Sequence, residues 1–263
     1  MSITGITIIG AGRVGGALAR ALFSKGYSID MILSASIESA GRVASVTGAG
    51  YGTGYNIPET SSVVIIAVPD RMIESVTASL EVKEDTVVLH TAGSYGMEVF
   101  PADRKFSAGV LYPMQTFSEQ REPDIKSVPF FAEGENQKSI NVINELAGSL
   151  SGRLYMMDTP GRRYLHLAAV FACNFVNHML DAAGDIAGDA GVDVTVFESL
   201  VRETVDKAFT IGPGAAQTGP AVRNDAVTIE KHMKLLSGRE MAAEVYDVVT
   251  RSIIERKINR ENE

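Results

Sequence analysis

The chain has 263 residues, of which 45% are hydrophobic and 21% charged, which is enough apolar material for a sizeable core and excludes collagen-like, coiled-coil and disordered sequences. At about 150 residues per domain the length allows two domains or one large one. The formal net charge of −8, with no offsetting basic cluster, opposes binding to nucleic-acid phosphates, and the single cysteine excludes an internal disulfide or a multi-cysteine zinc site.

That cysteine, Cys173, lies among Ala, Val and Phe and reads as a buried small hydrophobe, in keeping with a reducing cytoplasm. The first residues lack the basic segment and cleavage site of a signal peptide. The longest uncharged apolar stretch, Tyr164 to Leu180, contains two His and two Asn and falls short of the ~20 residues needed to span a bilayer. The expectation is a cytoplasmic protein that binds neither membrane nor nucleic acid.

Along the first half, short β-branched runs alternate with helical patterns. Strands are predicted at Gly5–Ile9, Ser28–Leu33, Val63–Val68, Thr86–His90, Ala108–Leu111, Val128–Ala132 and Arg153–Met156. Helices are predicted at Arg13–Ser24, Ile37–Thr47, Arg71–Leu80 and Asn136–Leu150. This is the order of a doubly wound, mostly parallel α/β sheet. After Met157 only helical patterns remain, so two domains are expected, 1–157 and 158–263. Thr159 is the expected N-cap and Pro160 the first helical residue of a helix continuing to Ala190, with Gly191 as its stop. The small residues of its lower half predict burial on several sides. Three further helices are predicted at Val194–Phe209, Asp225–Leu236 and Glu240–Ile258.

Gly10-Ala11-Gly12-Arg13-Val14-Gly15 fits G-x-G-x-x-G directly after a strand and at the start of a helix, the context that gives the motif its meaning. Gly10 allows the tight turn, Gly12 leaves room for a diphosphate, and Gly15 lets helix and strand pack closely, while the helix N-terminus offers free N–H groups to the anion. The second strand ends Ser34-Ala35-Ser36, with no carboxylate before Glu38 to grip a ribose 2′-hydroxyl. Ser34 and Ser36 can instead donate to a 2′-phosphate, and Arg13 or Arg42 can add positive charge, so NADP is favoured over NAD; Arg42 otherwise sits on a solvated helix face.

Four further segments join the glycine motif: Val68-Pro69-Asp70; Tyr112-Pro113-Met114-Gln115-Thr116-Phe117; Tyr164-Leu165-His166 with Asn174; and Thr218-Gly219-Pro220-Ala221-Val222-Arg223-Asn224-Asp225. With these segments the sequence resembles, over nearly its whole length, the Rossmann-like NADP oxidoreductases of unknown substrate. That family is related to pyrroline-5-carboxylate reductase, ketopantoate reductase, prephenate dehydrogenase and the β-hydroxyacid dehydrogenases. The resemblance implies a nucleotide-binding domain, with Val68 and Pro69 against the cofactor, followed by a helical domain like the C-terminal half of 6-phosphogluconate dehydrogenase, through which a homodimer forms. It does not imply a substrate. The chain departs from its relatives in two places: Val170 stands where the Lys-x-x-x-Asn pattern of β-hydroxyacid dehydrogenases and ketopantoate reductases has its lysine, and Ala35 stands where an arginine often follows the second strand.

Ligands in such sheets lie beyond the carboxyl ends of the strands. His90, at one such end, is either a proton donor to a reduced carbonyl or imine or a satisfied structural histidine. Asn174 is the candidate amide that orients the substrate, with His166 a second catalytic candidate about 12 Å away along the helix; all three of His166, Asn174 and His178 are expected on one helix side, and His178 is expected to be a core or interface residue. Ser94, Gln115, Thr116 and Arg223 are candidate substrate contacts, Arg223 either gripping a carboxylate or pairing with Asp225. No metal is expected. The functional expectation is an NADP-dependent oxidoreductase moving hydride between nicotinamide and a C=O or C=N group of a small metabolite. Its rivals are an imine reductase, a prephenate-type dehydrogenase and a non-catalytic NAD(P)-binding sensor.

Overall fold

The computed structural model describes residues 3–118, 120–121 and 123–262, apart from the side chain of residue 261. It contains two compact units, Met1–Asn174 and Phe175–Glu263. The first is an eight-stranded sheet. Its strands are β1 (Ile6–Ile9), β2 (Ile29–Leu33), β3 (Gly50–Gly52), β4 (Val63–Ile66), β5 (Val87–His90), β6 (Ser107–Pro113), β7 (Phe130–Gly134) and β8 (Leu154–Met156), in the spatial order β3-β2-β1-β4-β5-β6-β7-β8. All neighbours are parallel except β6 and β7, which pair antiparallel with Leu111 opposite Ala132. The strand order reverses between β1 and β4, which opens a crevice at their carboxyl ends.

Central strands such as β1 and β4 are buried at every position, as expected of a sheet covered on both faces. Ile6, Ile8 and Ile32 pack on one side with α1 (Arg13–Ser24), α2 (Ile37–Thr47) and α4 (Gln137–Leu150); Ile9, Leu33, Val64, Ile66 and Val88 pack on the other with α3 (Ile73–Ala78), Phe100 and Phe106. In α1 the buried Gly15, Gly16, Leu18, Ala19 and Leu22 recur at helical spacing. Ser36 caps α2, and Gly48, with φ of 69°, ends it in the left-handed conformation. The short edge strand β3 has too few side chains to leave a periodic signal and is absent from the sequence reading.

The helix that starts the second half differs from expectation in three ways. Asp158, rather than Thr159, is its N-cap, because the longer carboxylate accepts from the Gly161 N–H at 3.0 Å, leaving Thr159 and Pro160 inside the first turn. The helix is also not uniform: α5 (Thr159–Ala169) passes into a π-helical stretch, Val170–Phe175, before α6 (Val176–Gly188). Bonds from i to i+5 change the angular spacing of the side chains across this stretch from that of a continuous α-helix. Finally, α5 stays with the sheet unit and the division falls after Asn174, because Arg162 and Arg163 tie its first turns to the loop after β5.

Expected burial also fails here. Cys173, Asn174 and His178 are exposed, as are Phe171 and Phe175, since apolar composition fixes which faces avoid water but not which element covers them. The second unit contains α6, α7 (Glu198–Ile211), the four-residue α8 (Pro213–Ala216), α9 (Ala226–Leu235) and α10 (Glu240–Glu261). Among the described residues no helix is long and apolar enough to cross a membrane.

Candidate active site

The crevice at the sheet reversal holds a cavity of about 420 Å³ lined by Gly10, Ala11 and Gly12 after β1, Ser34 and Ala35 after β2, Ala67, Val68 and Pro69 after β4, and Ser39 and Arg42 of α2. The three glycines of the motif do different work. Gly10 has φ of 109°, and a Cβ there would overlap the Ala67 carbonyl. A Cβ on Gly15 would overlap the Gly10 carbonyl, so α1 could not pack as closely. A Cβ on Gly12 would meet nothing within 4 Å beyond its chain neighbours, which leaves open space at the helix start. Gly12 makes no side-chain cap and the first turn of α1 has no acidic residue, so its N–H groups face that space unopposed. These residues fit a dinucleotide diphosphate.

Of the other expected cofactor residues, Ser34, Val68 and Pro69 line this cavity. Arg13 opens α1 and lines an adjoining cavity, whereas Val14 packs on the core. Ser36 is engaged otherwise: its hydroxyl oxygen accepts from the Ser39 N–H and its proton goes to Glu38 at 2.7 Å.

Beyond the cofactor cavity, the ends of β4, β5 and β6 bring a polar cluster together. Asp70 follows Pro69, Ser94 lies in the loop after β5, and Tyr112 is near the end of β6. Ser94 donates to Asp70 through a short hydrogen bond. The Tyr112 hydroxyl lies 3.3 Å from Nδ1 of His166, with the rings edge to face. Gly93 gives them room, since a Cβ there would crowd both rings. Burial, then the negative charge of Asp70, pushes the Tyr112 phenol above its usual pKa. Among the described residues no Lys or Arg lies within ion-pair distance of Asp70. Tyr112 and Asp70 stand in two of the segments that carry the family resemblance but have no individual role in the sequence reading, although both stand at the carboxyl edge where ligands bind, and that position was the available signal.

His90 is not the proton donor that its position suggested. It is wholly buried; its Nδ1 accepts from the Ala92 N–H at 3.2 Å, and its Nε2–H donates to the Gly96 carbonyl at 3.2 Å. Removal from water lowers its pKa to about 4, so the ring is neutral with no nitrogen free for a substrate. Its work is to hold the loop. Three successive carbonyls of that loop are fastened from outside it: Ser94 by Arg163 Nε (3.0 Å), Tyr95 by Arg162 (2.9 Å) and Gly96 by His90. Arg162, also wholly buried, pairs with Glu133 at 2.9 Å and donates to the Met157 carbonyl and the Thr159 hydroxyl; Arg163 pairs with Glu98.

Two of the remaining expected residues lie apart from this cluster in the first unit. Gln115 and Thr116 bond to each other, the side-chain oxygen of Gln115 accepting from the Thr116 N–H at 2.8 Å, and they line a separate depression with Arg121 and Asp124. Arg223 is exposed in the second unit, and near it Asp225 caps α9, its carboxyl held below the usual range by the Thr228 hydroxyl and backbone, with a smaller effect from Arg223. Asn174 is exposed in the π-helical stretch.

Two family models match the chain: "NADP oxidoreductase coenzyme F420-dependent" over residues 5–93 and a domain of unknown function (DUF2520) over residues 128–253. No curated protein matches. Among solved structures, a protein of Bacteroides fragilis described as an NADP oxidoreductase is 36% identical over 96% of this chain and 98% of its own, with a TM-score of 0.88. An imine reductase of Myxococcus stipitatus in complex with NADP+ is 17% identical, over 97% of this chain and 94% of its own, with a TM-score of 0.68. A 1-pyrroline-5-carboxylate reductase of Streptococcus pyogenes is 15% identical, over 96% of this chain and 97% of its own, with a TM-score of 0.62; both show the likeness of fold. On the identity and coverage of the Bacteroides protein, with a cavity shaped for a dinucleotide, the chain belongs to the family of Rossmann-like NADP oxidoreductases.

Proposed function

We propose that this NADP-dependent oxidoreductase moves hydride between the nicotinamide and the carbon of a C=O or C=N group in a small metabolite, with Tyr112 and His166 handling the accompanying proton. The pairing of the Tyr112 hydroxyl with His166 Nδ1 at 3.3 Å carries the reading. Gly10–Gly12 would hold the diphosphate and the end of β2 the adenosine half, which would leave the nicotinamide for the ends of β4, β5 and β6, where Asp70, Ser94 and Tyr112 lie with His166 beside Tyr112. Tyr112 stays protonated at neutral pH because burial and Asp70 both disfavour the phenolate. It hands its proton to the substrate heteroatom, and His166, whose Nδ1 lies 3.3 Å from the phenol oxygen, replaces it. Ser94 fixes Asp70, and Asn174 is proposed to contact another part of the substrate. Gln115 and Thr116 are kept only as outlying contacts for a larger one.

A C=N substrate is the favoured form. A neutral imine becomes an iminium on taking the Tyr112 proton; a carboxylate with no ion-pair partner among the described residues suits that cation, which is electrophilic enough to accept hydride without the lysine that Val170 replaces. We also propose a homodimer formed through the helical unit, in which a second copy would cover apolar side chains of that unit such as Phe209 (89% exposed), Leu235 (79%) and Met241 (70%). A monomer in sedimentation at micromolar concentration contradicts it. A cytoplasmic setting suits the exposed thiol of Cys173.

The deciding experiment follows NADPH absorbance with panels of imines, 2-oxo acids and hydroxy acids, for the wild type and Tyr112→Phe. The expected result is turnover on at least one panel and a loss of about 10²- to 10⁴-fold in kcat for the variant, with unchanged NADPH affinity. Tight NADPH binding with no turnover on any panel favours the sensor instead.

A further inference from the structure

The loop after β5 runs antiparallel to the first two turns of α5, and the two meet residue by residue. Gly96 lies against Thr159, where a Cβ would overlap the threonine side chain, and the Tyr95 carbonyl accepts from Arg162 at 2.9 Å. The Ser94 carbonyl accepts from Arg163 Nε at 3.0 Å, and Gly93 lies against His166, where a Cβ would crowd the imidazole. Followed in this direction, the seam leads from the N-cap of α5 into the proposed site, and its last two pairs each contain a residue that the chemistry uses. Arg163 stands where the seam enters the site. Its Nε holds the Ser94 carbonyl, while its other arm donates to Oε1 of Glu98, an oxygen that also accepts from the Gly96 N–H at 3.2 Å. One planar fork therefore ties the two ends of the loop together.

We propose that Arg163 is a positioning residue for the reaction: by fastening the Ser94 backbone to Glu98 it keeps the Ser94 hydroxyl on Asp70, and so holds that carboxylate beside Tyr112 and His166. The chain of contacts is complete. Ser94, fixed through its carbonyl, donates its hydroxyl to Asp70, whose negative charge reaches the Tyr112 phenol. His166, which meets the same phenol at 3.3 Å, stands three positions after Arg163 on α5, one turn farther along the same face. The helix thus carries the proton-handling histidine and the clamp on the carboxylate's holder as one rigid piece. Arg163 and its neighbour Arg162 divide the work. Arg162 is sealed in the core, whereas the side chains of Arg163 and Glu98 are each about half exposed, so their pairing adds little to stability and its effect falls on where Ser94 points.

This rests on the hydride-transfer reading above, and the test separates the two. With NADPH and the imine turned over fastest on the panel above, kcat and KM are measured for the full chain as wild type, Arg163→Met, Arg163→Lys, Asp70→Asn, and Arg163→Met combined with Asp70→Asn. NADPH affinity is titrated in parallel. Arg163 is exposed and methionine is a good helix former, so the fold tolerates the change, and Arg163→Lys keeps the charge beside Glu98 while losing the fork. The expected result is that Arg163→Met lowers kcat/KM by about 5- to 10-fold with NADPH affinity within about twofold of the wild type, and that Arg163→Lys recovers part of the loss. In the Asp70→Asn background the same change is expected to cost less than about twofold, because the residue through which Arg163 acts has already lost its charge. An unchanged kcat/KM, a matching loss of NADPH affinity, or losses that multiply in the combined variant overturn the positioning role while leaving the hydride-transfer reading in place. A wild type that reduces no imine overturns the C=N form of that reading and this inference with it.

Discussion

Inside the core the imidazole of His90 donates its Nε2–H to the carbonyl of Gly96 at 3.2 Å, and the Ala92 N–H on its other side, also at 3.2 Å, fixes which nitrogen carries the proton. Burial dominates its titration and lowers the pKa to about 4; the Gly96 bond opposes this, Arg162 adds to it, and Glu98 and Asp70 oppose it weakly. A histidine whose folded pKa lies below the unfolded value of ~6.5 leaves the unfolded chain as the better proton acceptor in between. Its contribution to stability is therefore complete above about pH 6.5 and is lost as pH falls toward 4. His90→Gln keeps a donor and an acceptor without titrating. Urea unfolding at pH 7.5 and 4.5 is expected to show the wild type losing about 2 to 3 kcal/mol more than this variant on acidification. Parallel profiles count against a neutral, buried His90.

Arg162 is the largest side chain sealed in the core, and its charge is answered by Glu133, whose side chain is 25% exposed, and by two carbonyls and a hydroxyl. Truncating it leaves Glu133 without its cation and the Tyr95 carbonyl without a donor. Arg162→Met is expected to cost about 3 to 5 kcal/mol in denaturant unfolding. Glu133→Gln in the same background is expected to return part of that loss, because it removes the stranded charge. Two losses that simply add show that the pair is not coupled.

What could be read from the sequence follows from which signals are local. The motif Gly10 to Gly15 specifies a turn by the conformations that only glycine allows, and helices α1 and α2 end where Ser24 and Thr47 were expected to end them. The alternation of apolar strands gave the doubly wound sheet because each strand carries its own pattern. The roles of His90 and Tyr112 depend instead on which loops and helices close over them. A histidine at a strand end reads the same whether its nitrogens face a substrate or the Gly96 carbonyl, and nothing near Tyr112 in sequence announces His166, 54 positions away. The exposure of Cys173 and Asn174 was hidden for a related reason: their neighbours are apolar, but the element that would cover them is not written in the same segment.

Asp70 provides a test of the charge the site prefers. Ser94 holds its carboxylate beside Tyr112, and among the described residues no Lys or Arg lies within ion-pair distance. Asp70→Asn keeps the shape and an acceptor for Ser94 but removes the charge. The expected outcome is a fall of about 10-fold or more in kcat/KM for a cationic iminium substrate, with little change for a neutral ketone of the same size. Equal losses on both substrates point to a purely structural Asp70.

The two glycines at the cofactor turn separate folding from binding. Gly10 has φ of 109° and would drive a Cβ into the Ala67 carbonyl, so Gly10→Ala is expected to destabilise the protein by about 2 kcal/mol or more even with no nucleotide present. Gly12 has φ of −77° and nothing within 4 Å of the position of a Cβ. Gly12→Ala is therefore expected to stay within about 1 kcal/mol of the wild type in thermal unfolding, the small cost of a poorer helix cap. The same methyl group would occupy the space assigned to the diphosphate, and NADPH affinity is expected to fall by about 10-fold or more, since the phosphate oxygens could no longer reach the N–H groups at the start of α1. A stable Gly12→Ala protein that binds NADPH as tightly as the wild type would mean that the open space at this turn holds something other than the diphosphate.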